Sequence, residues 1–149
     1  NLKTVVDDCL KLMKINDETI IIDFKCDDNI LIKADNEQIS RVFINLIKNS
    51  IESLNEKYQK NNEFNKKIII EISQINDYIE ILIIDNGTGF NTTNLSEISK
   101  PYFTTKKNGS GLGLSIVVKI INDHNGTIEF LNYKKGAKIK ITFPKINVS

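Results

Sequence analysis

Apolar positions recur along the chain with two periods, and the switches between them mark out the elements. Leu2, Val5, Val6, Cys9, Leu10, Leu12 and Met13 fall mostly on one face of a first helix within residues 1–16. Thr19 to Lys25 is β-branched and apolar, which predicts a strand. Asp27-Asp28-Asn29 then turns the chain toward a short partner strand at Leu31 to Lys33. Asp35 is a good N-cap with Gln38 three residues on, close to a capping box. The helix it starts runs to about Tyr58, with Ile39, Val42, Phe43, Leu46, Ile47, Ser50, Ile51 and Leu54 as its buried stripe. A polar stretch from Asn55 to Lys67 leads into two strong strands, Lys67 to Ser73 and Tyr78 to Asp85, joined by a hairpin turn.

Asn86 to Ser110 breaks both periods. It holds Gly87, Gly89, Gly109 and Pro101 among many Asn, Thr and Ser. So long a stretch without periodicity, inside a compact domain, is expected to be a functional loop or lid. Helical spacing returns over Gly111 to Asn125. Two strands close the chain, Thr127 to Leu131 and Ala137 to Phe143, around a Lys134-Lys135-Gly136 turn. The order is α-β-β-α-β-β-lid-α-β-β, without repeats. Hairpin strands grouped with separate helices predict an α/β sandwich: a mixed sheet of about five main strands under three helices.

Composition narrows the function more by exclusion than by suggestion. At 149 residues the chain is one domain's worth, and its formal net charge of +1 argues against a nucleic-acid arm or an acidic tail. Two cysteines, Cys9 and Cys26, and one histidine, His124, leave no disulfide framework and no Cys/His zinc site. No stretch approaches the ~20 apolar residues of a membrane helix. The polar opening has no signal-peptide pattern, so a soluble, cytoplasmic piece is expected. It starts without methionine, as a fragment of a larger protein would.

Three constellations carry chemistry. Asn45 and Asn49 are i and i+4 on the long helix, beside its apolar stripe, with Glu52 a further turn along the strip. They read either as polar residues on a half-exposed helix or as two carboxamides offering oxygens to a hard cation such as Mg²⁺. Asp85-Asn86-Gly87-Thr88-Gly89-Phe90 puts an acid at a strand end before two alternating glycines. It is an ordinary Asn-Gly turn, or a carboxylate that accepts the exocyclic amine of adenine beside a closely approaching backbone. Gly109-Ser110-Gly111-Leu112-Gly113-Leu114 opens a helix, where backbone N–H groups and the helix dipole favour phosphate. It lacks the ending of a Walker A motif. The preceding Thr104-Thr105-Lys106-Lys107 run offers hydroxyls and ammonium groups to the same phosphates.

In this order, the three motifs resemble the N, G1 and G2 boxes of the catalytic, ATP-binding domain of bacterial sensor histidine kinases. Its Bergerat-type fold is shared with type II topoisomerases, Hsp90 and mismatch-repair ATPases. Pro101-Tyr102-Phe103 falls where the F box lies, and the likeness runs from about residue 1 to 145. Pro101 to Lys106, Ile121 to Gly126 and Gly136-Ala137 resemble the nitrogen-regulation (NtrY/NtrB-like) branch.

The resemblance implies that Asn49 is the principal Mg²⁺ ligand and Asn45 a supporting one. It implies that Asp85 binds the adenine amine of ATP, with Gly87 and Gly89 shaping the pocket floor beside Phe90. Residues 86–110 would form the ATP lid. Gly109, Gly111 and Gly113, with Ser110, Leu112 and Leu114, would bring backbone amides to the phosphates. Thr104, Thr105 and Lys106 would join them, Lys106 as a catalytic cation. Tyr102 and Phe103 would anchor the lid or contact the helical domain.

The γ-phosphoryl group would pass to a histidine on a separate dimerisation domain, and then to a response regulator. A homodimeric, membrane-anchored receptor is implied, with this piece a monomer that touches neither nucleic acid nor membrane. His124, at a helix end, suits the dipole there and is expected to be structural. The two cysteines are expected to be packing residues.

Two positions depart from the family's pattern. Glu52 stands where many relatives have lysine, and Ala137 where many have threonine. The ATP-hydrolysing relatives carry a water-activating glutamate at the position of Asn45, and an asparagine cannot act as that base. That favours phosphoryl transfer over the alternatives of an ATP-driven machine or a nucleotide-binding regulatory module.

Overall fold

The computed structural model describes residues 1–13, 19–60, 64–90, 113–133 and 136–146. Among these residues, three helices and five strands follow in the order α1 (Leu2–Leu12), β1 (Ile20–Cys26), α2 (Asn36–Lys60), β2 (Lys66–Ile75), β3 (Tyr78–Asp85), α3 (Gly113–Asp123), β4 (Thr127–Tyr133) and β5 (Gly136–Pro144). The sheet order is β1-β2-β3-β5-β4. Only β1 pairs in parallel, with β2; the other pairs are antiparallel. The mixed five-stranded sheet under three helices is the expected architecture.

Alternation builds the layer. Ile68, Ile70 and Ile72 of β2 are buried with Ile79, Ile81 and Ile83 of β3 and Ile139, Ile141 and Phe143 of β5. The opposite face carries half-buried Ile69, Leu82 and Ile84 among Glu71, Glu80, Lys138 and Lys140. On the covered face sit Val42, Phe43, Leu46, Ile47 and Leu54 of α2, Val117 and Ile121 of α3, and Leu2 and Val6 of α1. Phe43 alone contributes about 1.5–3 kcal/mol by its burial.

Each helix end has a local cause. The Asn1 side chain accepts the Thr4 N–H, and Asp35 Oδ1 accepts the Gln38 N–H at 3.0 Å, so both N-caps are side-chain carbonyl or carboxylate oxygens. At the end of α3, Asn125 takes a left-handed φ of 62° and the Gly126 N–H returns to the Ile121 carbonyl at 2.9 Å. Gly126 is fixed by space: a Cβ there would lie 2.8 Å from the Phe143 ring.

One expected strand is not formed. Residues 31–33 are irregular, and β1 pairs with β2 instead of with them. Asn29, at φ 59°, turns the chain off the sheet, and Ile30 is buried where its carbonyl accepts the Leu2 N–H at 3.1 Å. The segment thus serves α1, and β1 reaches its partner through the α2 crossover. The β2–β3 turn is also tighter than expected, with Ile75 and Tyr78 already paired. No described helix is long and apolar enough to cross a membrane.

Candidate active site

The site is built around α2. Asn45 and Asn49 lie half-buried on it, as their spacing beside the apolar stripe predicts. Asn45 Oδ1 faces the first residue of α3: a Cβ on Gly113 would sit 3.9 Å from it. Gly113 and Leu114 therefore open α3 opposite the asparagine strip, where the dipole's positive end and the first N–H groups emerge. Leu114 packs on the core, and Glu52 lies half-buried further along α2.

Asp85 ends β3 only 7% exposed. Its Oδ1 accepts the Gly87 N–H at 2.9 Å, and the Ser50 hydroxyl and the Ala137 N–H also donate to its carboxylate. Burial pushes the Asp85 carboxyl above the ordinary carboxylate range. The Gly87 N–H, the Ser50 hydroxyl, the Ala137 N–H and the Lys57 charge pull it back only in part. A buried carboxylate held this way is an oriented acceptor, a fit for an amine donor.

The glycines do separate jobs. Gly89 has φ +74°, which favours glycine. Gly136 passes so close beneath the site that a Cβ would fall 1.9 Å from the Asp85 carbonyl oxygen. Phe90 is drawn toward β4: its N–H donates to Asn132 Oδ1 at 2.8 Å, and its ring meets Phe130 edge-on at 5.8 Å. Asn86 closes the strand end, its Oδ1 accepting the Lys67 N–H and its Nδ2 donating to the Asn65 carbonyl.

Thr104, Thr105, Lys106, Gly109, Ser110, Gly111 and Leu112, with Tyr102, Phe103 and most of the expected lid, lie outside the described residues. Among those that are described, the structure brings Asn45, Asn49, Asp85, Gly87, Gly89 and Gly113 around the α2 strip. It adds four side chains that sequence reasoning missed as part of this site: Ser50, Ser53, Lys57 and Asn132. For Ser53 and Lys57 a signal existed, since 45, 49, 53 and 57 step by four along one helix face.

Residues 34–147 match the family described as histidine kinase-, DNA gyrase B-, and HSP90-like ATPase. The chain belongs to this family. Within it, the relatives it matches include named kinases. Sporulation kinase A of Bacillus subtilis strain 168 is 36% identical over 119 residues, 79% of this chain and 18% of that protein. A putative NtrY-like sensor histidine kinase of Rickettsia typhi is 32% identical over 139 residues, 90% of this chain and 22% of that protein. The nucleotide-free catalytic domain of the histidine kinase ThkA superposes with a TM-score of 0.81 at 31% identity, covering 97% of this chain and 93% of that one. ThkA in complex with the response regulator TrrA superposes at 0.77 and 29% identity, over 98% of this chain and 41% of that one.

The kinase domain is thus the ATP-binding catalytic domain of histidine kinases. It spans about a fifth to a third of the length of the curated relatives it matches.

Proposed function

We propose that this domain binds Mg·ATP and donates the γ-phosphoryl group to a histidine on a separate helical dimerisation domain, from which it passes to a response regulator. One observation carries the reading. A single helix, α2, sets the Asn45 carboxamide beside the start of α3, with Asn49 one turn further along, and through Ser50 meets the buried carboxylate that ends β3. Asp85 accepts the adenine amine, and the backbone at Gly87 and Gly89 forms the floor beside Phe90. The phosphates run toward the first turn of α3, joined by Thr104, Thr105, Lys106 and the glycine loop from Gly109 to Leu114.

The donor set fits Mg²⁺. Among the described residues no group of three His, Cys, Asp or Glu side chains could hold a metal alone. Carboxamide oxygens suit a hard cation that keeps phosphate and water ligands. Asn49 would hold it, with Asn45 in support. When bound, the ion neutralises charge on the phosphates. The protein's own residues position the nucleotide, and neither asparagine can deprotonate water. That favours a protein acceptor over hydrolysis.

Residues 1–149 form one module, with residues 1–16 following the dimerisation domain and residues 86–110 acting as lid. The parent is a homodimeric, membrane-anchored sensor of the nitrogen-regulation branch, with this module on the cytoplasmic side and monomeric alone. Support for the branch comes from the Pro101 to Lys106, Ile121 to Gly126 and Gly136-Ala137 runs and from the NtrY-like relative.

Calorimetry with Mg·ADP should show binding that Asp85→Asn weakens about a hundredfold with the fold intact. With γ-labelled ATP the chain alone should stay unlabelled and should label the parent's dimerisation domain supplied in trans. A brisk steady-state ATPase rate without any acceptor would replace this reading with an ATP-driven machine.

A further inference from the structure

Asn45, Asn49, Ser53 and Lys57 recur at intervals of four along α2 and so form one strip. The first two are the proposed metal ligands. The other two grip the loop after Asp85. Ser53 Oγ accepts the Thr88 N–H at 2.9 Å and lies 3.0 Å from Thr88 Oγ1. Thr88 Oγ1 in turn donates to the Gly89 carbonyl at 3.3 Å. Either hydroxyl can supply the proton between Ser53 and Thr88. Lys57 Nζ donates to the Asn86 carbonyl at 2.7 Å while sitting 4.5 Å above the Phe64 ring. Gly87 fills the gap: a Cβ there would lie 2.3 Å from Ser53 Oγ.

Residues 86, 87 and 88 therefore each meet α2 directly. Packing alone does not ask for a hydroxyl at 53. The Ser53 hydroxyl makes two hydrogen bonds to this loop. Asp85 is tied to the same loop through the Gly87 N–H.

We propose that Ser53 and Lys57 are positioning residues for base recognition: they clamp residues 86–88 to α2 and so fix the direction in which Asp85 offers its carboxylate to the adenine amine. The proposal rests on the adenine role of Asp85 given above. The asparagines and the clamp share one rigid helix, so the metal end and the base end of the nucleotide are held in one register.

The test compares Mg·ADP with Mg·inosine diphosphate, whose base presents a carbonyl where adenine has its amine. Wild type should prefer ADP. In Ser53→Ala the ADP affinity should fall about tenfold, the worth of one buried hydrogen bond, while inosine diphosphate changes little and the preference collapses. Lys57→Met keeps the stem over Phe64 and removes the ammonium; it should act in the same direction. It carries the test if Ser53→Ala does not fold.

Equal losses for both nucleotides, or an unchanged preference with only a lowered Tm, would overturn the clamp and leave the adenine reading standing. A wild type without preference for ADP would overturn the adenine reading, and the clamp with it.

Discussion

His124 Nε2 accepts the backbone N–H of Asp35 at 3.1 Å. An amide N–H can only donate, so the ring proton sits on Nδ1, where it is given to the Ile120 carbonyl at 2.7 Å. The ring is therefore a neutral bridge. The bridge is a structural role, as expected for His124 at this helix end. The bridge ties the end of α3 to the N-cap of α2. At the other end of α3, Gly113 faces Asn45. The two contacts are ten residues apart on α2 and eleven on α3, about 15 Å on each at 1.5 Å per residue. They fix an antiparallel register that holds the start of α3 opposite the asparagines.

His124→Ala removes both bonds of the bridge. Thermal unfolding should show a loss of about 1–2 kcal/mol. Phosphoryl transfer to a dimerisation domain supplied in trans should persist, which an acceptor role for His124 would not allow.

Glycines around the site should differ sharply under the same substitution. In Gly136→Ala the new methyl meets the Asp85 carbonyl oxygen at 1.9 Å, backbone against backbone, where neither β3 nor β5 can yield cheaply. A loss of about 3 kcal/mol or more is expected. Gly113→Ala meets only Asn45 Oδ1 at 3.9 Å and adds helix propensity, so stability should hold or rise by about 0.5–1 kcal/mol. Circular dichroism melts of the two variants side by side check this.

Which parts were legible in the sequence follows from how local each signal is. β3 could be read to the residue, because Ile79, Ile81, Ile83 and Asp85 alternate inward and the acid stands at the strand end. The Asp35 cap is equally local. The partner of β1 was not readable: Ile20 pairs with Lys66 across the whole of α2, and periodicity names a strand without naming its neighbour. Leu31 to Lys33 looked like a strand because a buried Ile30 beside apolar neighbours has the same pattern as a short edge strand. Asn45, Asn49 and Asp85 were singled out through motif order. Ser53 and Lys57 escaped because their step of four beyond Asn49 gains meaning only once a distant loop packs on that strip.

Removing the metal should separate the two asparagines from Asp85. If the carboxamides serve the cation, Asn49→Ala weakens ADP binding in Mg²⁺ and hardly changes it in EDTA, with Asn45→Ala milder in the same direction. A loss of about tenfold is reasonable for one ligand to a hydrated ion. Equal losses with and without Mg²⁺ would assign the asparagines to the nucleotide directly.

Asp85 should cost stability in return for binding. Its carboxyl is raised by burial, so the folded chain holds a proton at pH values where the unfolded chain has lost it. Between the ordinary and the raised value the native state binds more protons. Stability therefore falls as pH rises through that window and stays lower above it. Asp85→Asn carries no titrating group and can still accept the Gly87 N–H. Without nucleotide, its Tm should match wild type at low pH and equal or exceed it at pH 7, by about 2–4 °C for each kcal/mol recovered. Its ADP affinity should fall about a hundredfold, since a charge-assisted bond is lost and an amide donor can face the adenine amine. A variant less stable than wild type at neutral pH would mean that the hydrogen bonds from Ser50, Gly87 and Ala137 outweigh the cost of burying the charge.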